Sequence, residues 1–99
     1  MEFTSKQRSY LKGLASSQDA IFQIGKSSLT PSMIQAIDDA MEKRELIKIS
    51  VLKNCMDDPR ELADTIAGRT HSDVVIVIGK KIVLYRPSKK NPKIELPKK

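Results

Sequence analysis

The chain is poor in the residues that most often carry chemistry. Its one cysteine, Cys55, excludes an internal disulfide and a four-thiolate zinc site. It has one histidine, His71, and no tryptophan. No Ser/His/Asp or Cys/His set can be placed, and no cluster of metal ligands stands in the sequence. The expectation is a protein that is not an enzyme and holds no metal or cofactor. No apolar run approaches the ~18 residues of a membrane span, and the polar start lacks the apolar core of a signal peptide. A cytoplasmic monomer with no membrane partner and no small-molecule substrate is therefore expected. Aromatic residues are also few: Phe3, Tyr10, Phe22 and Tyr85. Phe22 and Tyr85 fall in apolar strand patterns and read as core, with a contact from Tyr85 to a base as the alternative.

What the chain does have is a modest core and an uneven charge. Its 99 residues allow one domain with short tails. A 39% hydrophobic and 30% charged composition fits a globular fold rather than disorder. The net charge is +6. From Lys80 to Lys99 eight bases stand against the single acid Glu95, a net of +7 that leaves −1 for the first seventy-nine residues. A local basic field of this kind suits a polyanion, although a solubilising tail would look the same.

Apolar periodicity predicts seven elements. Thr4 or Ser5 caps a helix to about Ala15 with a thin stripe of Tyr10, Leu11, Leu14 and Ala15. Ala20 to Ile24 reads as a short strand. Thr30-Pro31 starts a second helix, with Thr30 as cap and Pro31 where a missing N–H is harmless, running to about Lys43. Leu46 to Val51 alternates, with Ile47, Ile49 and Val51 on one face and Lys48 and Ser50 on the other, which predicts a half-buried strand. A third helix opens at Asp58-Pro59. Val74 to Ile78 is a continuous β-branched run, which predicts a strand buried on both faces. Gly79-Lys80 turns the chain into Ile82 to Tyr85. The result is an α/β fold, a single α-β-α-β-α-β-β domain whose mixed four-stranded sheet is packed with helices. Residues 1–87 form the domain. Residues 88–99 are expected to be an extended or mobile basic tail, with Ile94 and Leu96 able to touch the body.

The functional candidates are polar and basic. Gly25-Lys26-Ser27-Ser28 joins a strand to a capped helix, where loop amides and a cation can approach a phosphate. It is not a nucleotide-binding P-loop, because Ala20 stands where that motif needs a glycine. A Gly-x-x-Gly loop that clamps a nucleic-acid backbone is the better comparison, and an ordinary strand-to-helix turn is the plain alternative. Lys80, Lys81, Arg86, Lys89 and Lys90 form a second basic group, and Arg8 and Lys12 on the first helix extend it. Arg86, directly after a strand, is expected to be the most rigidly held and to lead the contacts. With so few aromatics, recognition through backbone and shape is favoured over base readout.

Several stretches together resemble the YhbY-type CRM-domain family (chloroplast RNA splicing and ribosome maturation). They are Ser5-Lys6-Gln7-Arg8 with Leu11, Ile24-Gly25-Lys26 with Leu29, Glu45-Leu46-Ile47-Lys48, and Ile78-Gly79-Lys80 followed by Val83-Leu84-Tyr85-Arg86. The resemblance implies a sheet similar to the C-terminal domain of bacterial translation initiation factor three. It also implies RNA binding without catalysis, on precursors of the large ribosomal subunit. The family's Gly-x-x-Gly loop falls on Gly25, Lys26, Ser27 and Ser28. Ser28 departs from that pattern; if the position needs φ > 0, serine carries a strain cost or the loop takes another turn. The alternatives are a ribosome-associated protein–protein adaptor and a general nucleic-acid-binding basic protein.

Overall fold

The computed structural model describes residues 3–97. Three helices and four strands follow one another as α1 (Ser5–Ser16), β1 (Phe22–Ile24), α2 (Pro31–Arg44), β2 (Leu46–Val51), α3 (Pro59–Thr70), β3 (Asp73–Ile78) and β4 (Lys81–Tyr85). Each helix start has a local cause. Thr4 and Gln7 form a reciprocal capping box on α1. Thr30 accepts from the Met33 amide on α2, and Asp58 accepts from the Glu61 amide on α3. Pro31 and Pro59 occupy the first turns of their helices, where no backbone partner is lost.

The sheet order is β1-β2-β4-β3. β1 runs parallel to β2, and β4 runs antiparallel to both β2 and β3. α2 and α3 cover one face. Ile37 and Met41 of α2 and Leu62, Ala63 and Ile66 of α3 pack on Ile24, Ile47, Ile49, Ile82 and Leu84. α1 covers part of the other face, with Leu11 and Ala15 on Leu46, Val75, Val83 and Tyr85. Burying side chains of this size stabilises the fold by roughly 1.5–3 kcal/mol each.

Two strands depart from the sequence expectation. The β-branched run of β3 lies at the sheet edge, and only Val75 in it is fully buried. The inner strands are β2 and β4, and β2 is covered on both faces instead of half-buried. A register shift between Val74 and Ile76 accounts for the unbroken run. Val74 and Val77 pack toward α3, while Val75 and Ile76 both serve the α1 side.

The chain beyond β4 has no regular structure, yet it is fastened to the body. Glu45, at the C-cap of α2, is fully buried and has φ of 64°. A non-glycine residue in that region costs about 1–3 kcal/mol. Its side chain explains why glycine does not stand there. The carboxylate accepts from the amides of Ser88 (2.8 Å), Lys93 (2.7 Å) and Ile94 (2.9 Å). Glu42 accepts from the Ser88 hydroxyl and from the Lys89 amide at 3.2 Å. Gln7 donates to the Pro97 carbonyl at 2.9 Å, and Ile94 and Leu96 pack against the α1-side core. Residues 88–97 thus form a strap across the body, and the expected contact of Ile94 and Leu96 is present.

Candidate nucleic-acid interface

Strand register sorts the expected site residues into two groups. Ile24 pairs with Val51, Ser50 with Lys81, and Lys81 with Ile78. These pairs bring the Gly25–Ser28 loop, the 52–57 loop and the Gly79-Lys80 turn to one end of the sheet. Leu46, Tyr85 and Asp73 pair at the opposite end, where Arg86 and the strap begin. Five residues of strand separate the two ends by roughly 16 Å. Lys26, Lys80 and Lys81 therefore stand together, and Arg86, Lys89 and Lys90 stand apart from them.

The loop is built by its neighbours. The Leu52 amide donates to the Ile24 carbonyl at 2.8 Å, and the Val51 amide to the Lys80 carbonyl at 2.7 Å. The Ser28 amide closes a turn on the Gly25 carbonyl at 2.9 Å. Ser28 has φ of 55°, so it takes the left-handed geometry that favours glycine and serine bears its cost. Its hydroxyl donates to the Asp57 carboxylate, which ties the loop to the 52–57 segment. A β-carbon on Gly25 would sit 3.5 Å from the Asn54 side chain and 3.6 Å from Leu52, in ordinary contact. Lys26 and Ser27 are exposed. The amide and hydroxyl of Ser28 are both engaged within the protein, which leaves Lys26 and Ser27 as the outward groups of the loop.

At the other end Arg86 is held by the protein itself. One guanidinium nitrogen donates to Asp38 Oδ1 at 2.6 Å and to the Thr70 carbonyl at 2.7 Å. The second donates to the Asp38 carbonyl at 3.0 Å and lies 4.0 Å from Glu42. The side chain is only 13% exposed, and its Nε is buried with no hydrogen-bond partner. The expected rigidity is present, but it comes from partners that already occupy the charge. Arg8 is similar: it donates to the Val75 carbonyl and sits 5.5 Å from the Phe3 ring centroid.

Electrostatics follow this division. Around Arg86, Lys43 and Lys89 an open cleft is also lined by Asp38, Asp39, Glu42 and Asp73, so positive charge there meets carboxylates. Burial pushes the Glu45 carboxyl up. The three strap amides and the nearby Lys93 charge outweigh that and hold it below the usual carboxylate range. The Ser88 hydroxyl, aided by the Lys89 and Lys90 amides and by Arg86, lowers Glu42 in the same sense. Tyr85 is raised by burial and by Glu45. The loop end holds Lys26, Lys53, Lys80 and Lys81, all exposed, with Lys12 and Lys48 beside them on the α1 face.

Lys48 and Lys53 were not singled out from the sequence. The signal for Lys48 lay in the alternation of β2, which turns it away from the main core. For Lys53 it lay in the parallel pairing of β1 and β2, which brings their C-terminal ends together. Lys98 and Lys99 lie outside the described residues. The aromatics form no exposed platform among the described residues: Tyr85 is buried, Phe22 is packed on the core, Phe3 meets Tyr85 edge-on at 6.1 Å, and Tyr10, expected in the apolar stripe of α1, is instead exposed beside the packed Leu11. His71 is an exposed left-handed C-cap on α3. Among the described residues no group of three metal-ligating side chains forms, and no helix is long and apolar enough to cross a membrane.

Comparison with known proteins agrees with this architecture. The chain is 45% identical over 94 residues to "Probable RNA-binding protein YqeI" of Bacillus subtilis, covering 95% of this chain and 98% of that one. It is 34% identical over 96 residues to an "RNA-binding protein" of Haemophilus influenzae, covering 97% and 96%. Among solved structures, SAV1595 of Staphylococcus aureus, a candidate RNA-binding protein, superposes with a TM-score of 0.79 at 53% identity, covering 97% of this chain and all of that one. The names of these relatives describe RNA binders, not enzymes. The model of the CRS1 / YhbY (CRM) domain matches residues 3–86, and the chain belongs to that family.

Proposed function

We propose that this protein is a non-catalytic RNA-binding protein of ribosome assembly. It holds large-subunit ribosomal RNA at the loop end of its sheet. The observation that carries the reading is the placement of charge: exposed Lys26, Lys53, Lys80 and Lys81 gather at the loop end of the sheet, where Asp57 is bonded to Ser28, while Arg86 is paired with Asp38 and Glu42 at the strap end. Lys26 and the Ser27 amide meet phosphate next to the N-terminus of α2, whose dipole favours an anion. Lys80 and Lys81 continue the path along the hairpin. Gly25 and Ser28 shape the loop, Lys12 flanks the path, and Arg8 and Arg86 hold the body together. Lys89 and Lys90 lie away from the path.

The family's association with large-subunit precursors, implied by the resemblance above, supports the choice of RNA. The test is UV crosslinking in cells, followed by sequencing of the RNA recovered on the protein. Reads concentrated on one region of large-subunit ribosomal RNA are expected. Reads spread in proportion to transcript abundance would sink the assembly role. A protein acting as an adaptor would instead co-purify with its ribosomal partner after nuclease treatment.

A further inference from the structure

A groove of about 290 Å³ lies between the C-terminal turns of α1 and the sheet face that α1 leaves open. Its floor is aliphatic, formed by Ile76, Ile78 and Val83, and Lys12, Lys48 and Lys81 stand among its lining residues. No carboxylate is among the residues that line it in the described structure. Ile78 is 59% exposed, a large apolar surface for an isolated side chain. Lys81 is oriented by a 2.8 Å hydrogen bond to the Ser50 hydroxyl, a neutral partner that leaves its charge available.

An apolar slot whose charged lining groups, among the described residues, are all ammonium groups fits a ligand with flat apolar faces and attached negative charge. The volume is near the lower end of small-ligand sites, roughly 300–1,000 Å³. A stacked duplex could satisfy the lysines but would leave the floor wet. An unstacked nucleotide satisfies both, since aliphatic side chains can pack on a base as aromatic ones do. Lys81 follows Lys80 directly, so the groove continues the proposed phosphate path. We infer that this groove receives one unpaired RNA base, with Lys12, Lys48 and Lys81 on its flanking phosphates. The inference rests on the RNA-binding reading and adds to it a preference for bulged or looped nucleotides. It also gives an aromatic-poor protein a way to sense a base.

The test is fluorescence anisotropy at low salt with labelled RNA hairpins that carry a single bulged nucleotide. Each of the four bases is compared with the same hairpin made abasic at the bulge, which keeps the phosphates. The wild-type protein is expected to bind at least one base-bearing bulge about 5- to 10-fold more tightly than its abasic partner. Ile78→Ser, at a site exposed enough to spare the fold, is expected to reduce that ratio below about twofold without changing abasic binding. Lys26→Glu is expected to weaken both hairpins by the same factor. Equal wild-type affinity for all hairpins would overturn the inference, as would a ratio that survives Ile78→Ser. Absence of binding to every hairpin would instead remove the RNA-binding reading and this inference with it. A proteinaceous occupant would appear as the equal-affinity result.

Discussion

Replacing Glu45 by glutamine should release the strap. Glu45 is fully buried, and its two carboxylate oxygens take three backbone amides from the far end of the chain. Glutamine can keep its carbonyl oxygen on Lys93 and Ile94, as neutral bonds. Its amide nitrogen then faces the Ser88 N–H, donor against donor. A hydrogen bond to a charged group contributes about 1.5–3 kcal/mol and a neutral one about 0.5–1.5 kcal/mol. One lost bond and two weakened ones, partly offset by removal of a buried charge, come to about 2–4 kcal/mol. For a domain of this size that lowers Tm by about 10–25 °C. If the strap detaches instead, its amides regain water but Ile94 and Leu96 lose their packing, and the cost has the same sign. Thermal and urea melts at pH 7, with trypsin cleavage after Lys90 and Lys93 as a local probe, read both outcomes. The pH dependence supplies a second sign. The Glu45 pKa is depressed in the folded state, so its contribution is complete above the ordinary carboxylate value of about 4.5. It is lost as pH falls through the lower folded value. The variant should therefore show a flatter acid limb than the wild type. A stability loss under about 0.5 kcal/mol with an unchanged trypsin pattern would refute the reasoning.

Three further substitutions separate shape from charge. Ser28→Gly removes the left-handed cost, about 1–2 kcal/mol, and forfeits an exposed hydrogen bond worth less, so equilibrium unfolding should show unchanged or slightly higher stability. A large loss would mean that the Asp57 tie governs the loop. Arg86→Lys cannot reproduce the fork onto Asp38 and Thr70 and should cost about 1–3 kcal/mol in a urea melt, while RNA affinity measured well below Tm stays within about twofold. An intact melt with lost affinity would return Arg86 to the binding surface. Asp57→Asn keeps an acceptor for Ser28 and removes a carboxylate beside Lys26, so affinity should rise by about twofold at low salt and the gain should fade at high salt. A drop in affinity would contradict the electrostatic reading of this loop.

The element order was legible because caps and periodicity agreed at each step. Thr30-Pro31 and Asp58-Pro59 announced two helices, and β2 spans Leu46 to Val51 as its alternation predicts. It is, however, an inner strand buried on both faces, with Leu46 and Ser50 covered on the α1 side, and not the half-buried strand expected. The β3 expectation failed on a physical ambiguity: a β-branched run can be doubly buried, or it can carry a bulge at an edge, and composition is the same in both cases. The basic residues are grouped in sequence but divided in space. Eight bases near one end of the chain suggest one basic surface, but β4 carries Lys81 and Arg86 to opposite ends of the sheet. The acids that meet Arg86 and the strap come from α2, some forty residues earlier, and only tertiary structure brings Asp38, Glu42 and Glu45 to them. Glu45 entered the sequence reading only through the family pattern. Its positive φ and its three amide partners carry no local signature.

The separation of the two basic groups can be tested by reversing equal charge at each end. The double variant Lys26→Glu/Lys80→Glu alters the loop end. Lys89→Glu/Lys90→Glu alters the strap end and leaves intact the backbone amides that bond Glu42. Both change net charge by the same amount, so any difference reflects position. Affinity for large-subunit ribosomal RNA, measured by filter binding at fixed salt, should fall at least about tenfold for the first variant and under about threefold for the second. Equal losses would reduce the protein to a diffuse basic binder, and a larger loss at the strap end would place the RNA on the wrong side of this molecule.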